Sequence, residues 1–178
     1  MAAIYQPGET IRIGRRPGGV RLAGGGATFV GAYDAIPSIA AAYGMRRLRS
    51  AYIGSLLRLR RGSDNVESDF GALSNGDLDA AAIATWLGAA SGYVTTWYDQ
   101  SGNGYNAVQT TAANQPLYVA SGQNDKPVVQ MDGTSDFMVL PTTGYDIGNL
   151  ASIVTAQLVT TDNDFILVLS TNAGGDFR

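Results

Sequence analysis

The chain contains no cysteine and no histidine. The missing cysteine excludes disulfides, thiolate metal sites and cysteine nucleophiles. The missing histidine excludes a Ser-His-Asp triad and a histidine-based zinc site. Glutamate is also scarce, since only Glu9 and Glu67 occur among 178 residues. The carboxyl groups available for acid–base chemistry are therefore almost all aspartates.

Long apolar runs are absent too. No run approaches the roughly 20 residues that a membrane-spanning helix needs, which predicts no membrane insertion. Residues 1–7 have no basic segment followed by an apolar one, which predicts no cleavable signal peptide. Charged residues make up only 15% of the chain, apolar residues make up 45%, and there are 23 glycines. This composition is typical of an all-β protein with many turns. A length of 178 residues suits one domain with an appended arm.

The charges are distributed unevenly along the chain. Residues 1–61 carry ten arginines and two acids, a net charge of +8, whereas residues 62–178 carry a net charge of −11. One interpretation is a basic segment that docks on an acidic surface or directs assembly, and the other is a set of solvated arginines. The sequence pI of 4.7 predicts no nucleic-acid partner.

Residues 1–32 predict an extended Gly/Arg-rich arm in front of a domain over 33–178. Glycines and two prolines interrupt this segment, and it is too poor in apolar residues to form a core of its own. It is then a tail, or an arm that orders against something else. The assembly residues expected in the arm are Arg12, Arg15, Arg16 and Arg21.

Two short helices and a hairpin are predicted after the arm. Pro37, three alanines and Gly44 favour a helix over 33–44. The alternation in 55–61 predicts a strand with Leu57 and Leu59 facing inward, paired as a hairpin with 66–70. A second helix is predicted from an N-cap at Asp77 to a stop at Gly88.

The segment 94–133 organises the rest of the domain. It begins with a predicted buried strand, 94–98 (VTTWY), and breaks into 99–104 (DQSGNG), whose residue types favour tight turns. Strands are predicted again at 105–109 and 127–133, and further along at 152–158 and 165–170.

The motifs 97–104 (WYDQSGNG) and 131–137 (MDGTSDF) resemble the paired signature of concanavalin A-like (laminin-G-like) jelly-roll domains. The resemblance implies an all-β jelly-roll sandwich with one or two short helices. Jelly rolls of this family usually have further strands after the last ones seen here. We therefore expect either a shortened roll or a truncated sequence, and a shortened roll would need a partner subunit to cover its apolar strand.

Residues 33–140 are also similar to modules of tailed-bacteriophage virion proteins and, more distantly, to the start of the family-54 α-L-arabinofuranosidase catalytic domain. The phage resemblance implies a non-enzymatic virion structural protein: a tail, fibre or capsid-decoration module. Its expected partners are other virion proteins, copies of itself and host surface glycans. The alternatives are an arabinofuranosidase-like hydrolase fragment and a free calcium-dependent lectin. In the arabinofuranosidase family, the catalytic carboxylates lie beyond the matching region, so no catalytic residue is predicted.

Two binding sites are hypothesised around the signature turns. Oxygen ligands for calcium are available in Asp99, Asn103, Asp132 and Asp136, although turn capping is the preferred role for these acids and no cofactor is required. Exposed aromatics beside amides suit sugar binding, and the candidates are Trp97, Tyr98, Tyr105 and Asn106. Because neighbouring residues of a strand point to opposite faces, only one of Trp97 and Tyr98 is expected in the core.

Overall fold

The computed structural model describes residues 28–141. Its regular elements are β1 (Leu57–Arg61), β2 (Glu67–Phe70), α1 (Ala80–Leu87), β3 (Gly92–Trp97), β4 (Ala107–Val108), β5 (Leu117–Val119) and β6 (Val128–Gln130). Two 3-10 turns, Ala112–Asn114 and Gln123–Asp125, lie on either side of β5. Over residues 28–141, the structure contains no helix with the length and apolarity that a membrane span requires.

The six strands form one antiparallel sheet. The strand order is β2-β1-β3-β5-β6, and β4 pairs separately with β3. β1 and β3 are central, and the register of their pairing shifts between Arg58 and Leu59. The predicted all-β class is confirmed at the level of this antiparallel sheet with one helix.

The core lies between one face of the sheet and α1. Leu57 and Leu59 of β1, Val94 of β3 and Ile83 of α1 each have no exposed side-chain surface. The predicted inward orientation of Leu57 and Leu59 is therefore confirmed, as is the hairpin of β1 with β2. Burying a side chain of this size stabilises the fold by roughly 1.5–3 kcal/mol.

The opposite face of β1 carries an ionic cluster. Arg58 donates two hydrogen bonds to the Asp69 carboxylate, from Nε and Nη2, both at 2.7 Å. The Tyr98 hydroxyl donates to the same carboxylate, also at 2.7 Å. Burial, together with this bond to Asp69, raises the pKa of Tyr98 to about 12. The cluster ties the edge strand β2 to the centre of the sheet.

The start of α1 differs from the prediction by two residues. Asp79, not Asp77, is the N-cap, and its Oδ1 accepts a hydrogen bond from the Ala82 amide at 2.9 Å. Asp77 instead forms a β-bridge with Arg46, whose guanidinium lies 3.7 Å from its carboxylate. The predicted stop at Gly88 is confirmed: this residue has φ of 60° and donates to the Ala84 carbonyl.

The helix predicted over 33–44 is wrong. This segment contains turns and bends and no helix. The Ala42 amide donates to the Asp99 carboxylate at 2.8 Å, so it does not bond a carbonyl four residues back. Side chains of the 99–104 turn also donate to carbonyls of this segment: Asn103 donates to Ile39 and Ala40, and Gln100 donates to Gly44. Distant polar groups thus replace the hydrogen bonds that a helix would have made.

The predicted strands 152–158 and 165–170 lie outside the described residues, as does the arm up to residue 27. The division into an arm and a domain stays a prediction.

Candidate functional site

The carboxylate of Asp99, at the start of the 99–104 turn, accepts four hydrogen bonds. The residue is 4% exposed. Its Oδ1 accepts from the amides of Ala42 and Ser101, both at 2.8 Å. Its Oδ2 accepts from the Ser101 hydroxyl at 2.6 Å and from the Tyr105 amide at 3.1 Å. Four donors therefore surround one carboxylate, which closes the turn and binds a non-helical segment 57 residues earlier in the chain.

Gln100 extends the same contact. Its side chain is 1% exposed, accepts from the Leu48 amide at 2.8 Å and donates to the Arg46 carbonyl at 3.0 Å. Asn103 donates from Nδ2 to the carbonyls of Ile39 and Ala40, at 3.0 and 2.9 Å. The segment 39–48 is thus held by side chains of the 99–104 turn. We call this set of contacts the Asp99 clasp.

The residues predicted to bind calcium do not assemble as one cluster. In the part of the chain that the structure describes, no group of three or more acidic side chains is arranged to hold a metal ion. Asp99 and Asn103 belong to the clasp, while Asp132 and Asp136 share a separate turn. The calcium site stays a prediction.

The aromatic residues predicted to bind sugar lie around the clasp and make internal contacts. Trp97 packs against the core and meets Tyr43 edge-on, with ring centroids 6.3 Å apart. Tyr98 points to the other face and bonds Asp69. Tyr105 accepts from the Tyr43 hydroxyl through its carbonyl, and Asn106 accepts from the Asp99 amide at 3.0 Å. Sugar binding by this set stays a prediction.

Asp132 and Asp136 form a second, tighter turn after β6. Oδ1 of Asp132 accepts from the amides of Thr134, Ser135 and Asp136, at 2.9, 2.7 and 2.9 Å. These amides hold the pKa of Asp132 well below its usual range. Oδ2 of Asp136 accepts in return from the Asp132 amide at 3.0 Å. Desolvation, reinforced by the neighbouring charge of Asp132, raises the pKa of Asp136.

These two acids line a shallow groove of about 630 Å³, which we call the Arg60 groove. Its base is the sheet face opposite the core, where Arg60, Tyr93 and Leu117 are cross-strand neighbours on β1, β3 and β5. Gln115 and the 3-10 turn at 112–113 complete the lining. The groove is thus lined by residues from well-separated parts of the sequence, and its volume is in the range of small-molecule sites.

Arg60 is held in place by uncharged partners. Its Nε donates to the Gln115 side chain at 2.7 Å, and its Nη1 donates to the Asn65 side chain at 2.8 Å. Its guanidinium carbon lies 4.8 Å from the centroid of the Tyr93 ring. Among residues 28–141, no carboxylate forms an ion pair with it. The lining of the groove therefore includes one arginine without an ion-pair partner among the described residues, and two acids.

The sequence interpretation missed the Arg60 groove. The alternation in β1 places Arg60 on the outward face, which was a usable signal. The pairing of Arg60 with Tyr93, and of Tyr93 with Leu117, depends on strand register across more than twenty residues. The four arm residues Arg12, Arg15, Arg16 and Arg21 lie outside the described residues.

Comparison with known families identifies the class of protein. The model of the catalytic domain of α-L-arabinofuranosidase B matches residues 30–171. This match covers most of the chain, so the chain belongs to the family of α-L-arabinofuranosidase B catalytic domains. The family is one of glycoside hydrolases.

Individual relatives match over a shorter segment. An α-L-arabinofuranosidase of Hypocrea jecorina is 38% identical over 73 residues, which are 41% of this chain and 15% of that protein. A probable α-L-arabinofuranosidase B of Aspergillus flavus is 39% identical over 74 residues, with the same coverage of both chains. The matching segment thus spans 15% of the length of each of these relatives.

A solved structure of an arabinofuranosidase, complexed with arabinofuranosyl-α-1,2-xylobiose, is similar over 55% of this chain and 23% of that one. The sequence identity is 28% and the TM-score is 0.46.

The interpretation as a bacteriophage virion structural protein is wrong, and so are the tail-fibre and decoration roles and the location in a virion. The family match is to a hydrolase, and the relatives named above come from fungi. The expectation of a non-enzymatic protein is wrong for the same reason. The predicted order of resemblance over residues 33–140, phage modules first and the arabinofuranosidase family only distantly, is reversed by the family match.

Proposed function

We propose that this protein takes part in the hydrolysis of α-L-arabinofuranosides, as its family does. The observation that carries the proposal is the match of the α-L-arabinofuranosidase B catalytic model to residues 30–171. The matched relatives are named for cleavage of α-L-arabinofuranosyl bonds. The substrate class proposed here is accordingly a terminal α-L-arabinofuranosyl group on a saccharide or an aryl carrier.

The described part of the chain would contribute the scaffold. We infer that its antiparallel sheet is one layer of a jelly-roll sandwich, because the sheet has one apolar face with Leu57, Leu59 and Val94 and one polar face with Arg58 and Arg60. The helix α1 covers part of the apolar face through Ile83. In such an architecture, turns and strand ends hold the sugar-binding groups while the sheet keeps them rigid.

Glycoside hydrolysis uses two carboxyl groups on either side of the scissile bond. The acids of residues 28–141 are largely committed to structure: Asp99 to the clasp, Asp79 to the cap of α1, and Asp69 to Arg58. Asp132 is engaged by three amides in its turn. We therefore assign none of these acids as nucleophile or general acid, and we give the described region a role in scaffolding and sugar binding.

The test is an assay of the purified protein with 4-nitrophenyl α-L-arabinofuranoside, and with 4-nitrophenyl β-D-galactopyranoside as the control. We expect saturable binding and release of 4-nitrophenol from the arabinofuranoside only. Equal rates with both substrates would reject the specificity. Binding without release would reject the hydrolytic role, and the absence of both would overturn the whole proposal.

A further inference from the structure

The Arg60 groove has a charge arrangement that selects among ligand classes. Its lining includes one cation, Arg60, and two carboxylates, Asp132 and Asp136. An anionic ligand would meet two carboxylates, and a simple cation would meet the unneutralised Arg60 guanidinium. A neutral ligand with several hydroxyl groups avoids both conflicts, because each hydroxyl both donates and accepts hydrogen bonds.

Both Arg60 and Asp136 keep an atom that can form a further hydrogen bond. Nη2 of Arg60 has no hydrogen-bond partner among the described residues, since Arg60 donates there from Nε and Nη1. Oδ1 of Asp136 has no hydrogen-bond partner among these residues either, since Asp136 accepts from the Asp132 amide through Oδ2. A hydroxyl could therefore accept from Arg60 while a neighbouring hydroxyl donates to Asp136. Both bonds would involve a charged group, which makes them stronger than bonds between neutral groups.

The base of the groove suits the apolar face of a sugar ring, where the C–H groups lie. Tyr93 and Leu117 lie side by side at paired positions of β3 and β5. Both are half-buried, so each offers apolar surface at the base of the groove. Arg60 packs over the Tyr93 ring at 4.8 Å, which fixes the direction of its guanidinium before any ligand arrives. An arginine held in advance loses less conformational entropy on binding.

We propose that the Arg60 groove, formed by Arg60, Tyr93, Leu117, Asp132 and Asp136, binds one neutral pentose unit of an oligosaccharide through its hydroxyl groups. The choice of a pentose rests on the proposed function. The groove is a binding subsite and holds no catalytic residue. Its contribution is affinity for longer substrates, beyond the arabinofuranosyl group that is cleaved.

The experiment is an NMR titration of the ¹⁵N-labelled full chain with α-1,5-linked arabinotriose. We expect saturable shifts of the amides of Tyr93, Leu117 and Asp136. Arg60→Met and Asp136→Asn should each raise the dissociation constant roughly tenfold or more, the cost of a lost hydrogen bond to a charged group. The matched control is Asp125→Asn, a carboxylate removed from an exposed turn outside the groove, which should leave the binding unchanged.

Asp136→Asn keeps an oxygen that can accept from the Asp132 amide, so the turn should be preserved in this variant. It therefore tests the inference even if Arg60→Met does not fold. Undisturbed amide signals in β1 and β3 report correct folding. Shifts elsewhere in the protein only, or equal affinity in wild type and in a folded groove variant, would overturn the inference.

Release of 4-nitrophenol distinguishes the two proposals. Hydrolysis of the aryl arabinofuranoside without binding in the groove would overturn this inference and leave the proposed function standing. Binding in the groove without hydrolysis would support the inference and remove the hydrolytic function.

Discussion

The carboxylate of Asp99 accepts a hydrogen bond from the main-chain amide of Ala42 at 2.8 Å, across 57 residues of sequence. The same group accepts from Ser101 and Tyr105, so one buried side chain joins its own turn to the segment before β1. Local turn chemistry and long-range packing are thus combined in one residue. A clasp of this kind explains why the segment 33–44 is not helical.

We predict that Asp99→Asn destabilises the protein by about 3 kcal/mol. The substituted amide keeps one acceptor oxygen but turns an NH₂ group towards donors, which leaves buried N–H or O–H groups unpaired. Urea unfolding of both proteins gives the difference in the free energy of unfolding.

The control for Asp99→Asn is Asp79→Asn, the same chemical change at the N-cap of α1. Asparagine caps helices about as well as aspartate, so this variant should lose little stability. Equal losses in the two variants would show that the Asp99 clasp has no special role in stability.

We predict that Ile83→Ala costs about 3 kcal/mol in the free energy of unfolding. Ile83 is fully buried against the sheet, and replacing it with alanine removes apolar contact and leaves a cavity. Thr85→Ala, on the exposed side of α1, is the comparison and should change stability by less than about 0.5 kcal/mol. Similar losses for both would mean that α1 does not pack on the sheet through Ile83.

Much of this fold could be predicted from short-range patterns. Alternation placed Leu57 and Leu59 in the core, and the predicted hairpin of 55–61 with 66–70 matches the pairing of β1 with β2. Gly88 marked the end of α1. These signals are local, because each depends on a backbone preference or on a period of a few residues.

The failures arise where distant groups decide the outcome. Asp77 pairs with Arg46, and Asp79 caps α1 in its place. The segment 33–44 is bound by Asp99 and is not helical. The local sequence pattern contains neither of these distant contacts. The Arg60 groove requires the register of three strands. The functional error has another cause, since the resemblance over residues 33–140 is shared by a fold that hosts unrelated functions.

The pH dependence of stability at Tyr98 can be predicted with its sign. The folded-state pKa of Tyr98 is raised from 10 to about 12, so the stabilisation is fully present below pH 10 and is lost as pH rises towards 12. Tyr98→Phe lacks the bond to Asp69 and should be less stable by about 1 kcal/mol at pH 7. That difference should narrow between pH 10 and 12.

Unfolding midpoints of wild type and Tyr98→Phe, measured at each pH, provide the test. Tyr33→Phe removes a phenol far along the chain from this cluster and should track the wild type across the same range. A difference that stays constant from pH 7 to 12 would contradict the assigned bond to Asp69.

The raised pKa of Tyr98 is accompanied by stabilisation, whereas that of Asp136 lowers the stability of the folded state. Its pKa is raised, chiefly by desolvation and further by the charge of Asp132, so its ionised form costs stability in the folded state above its ordinary value of 3.8. As pH falls through the raised folded-state pKa, protonation removes that cost. Asp136→Asn is uncharged at every pH and should match or exceed the stability of the wild type at pH 7, with the difference vanishing below pH 3.8.

Asp132→Asn should show the reverse, because the pKa of Asp132 is lowered by three amides and its stabilisation is present above 3.8. This variant should be less stable than the wild type at pH 7, and the loss should shrink as the pH falls through the range where the wild-type carboxylate becomes protonated. Denaturant midpoints of the three proteins from about pH 2 to pH 7 test both signs in one experiment. If the two variants shift in the same direction at pH 7, the two carboxylates do not have the distinct environments that their turn gives them.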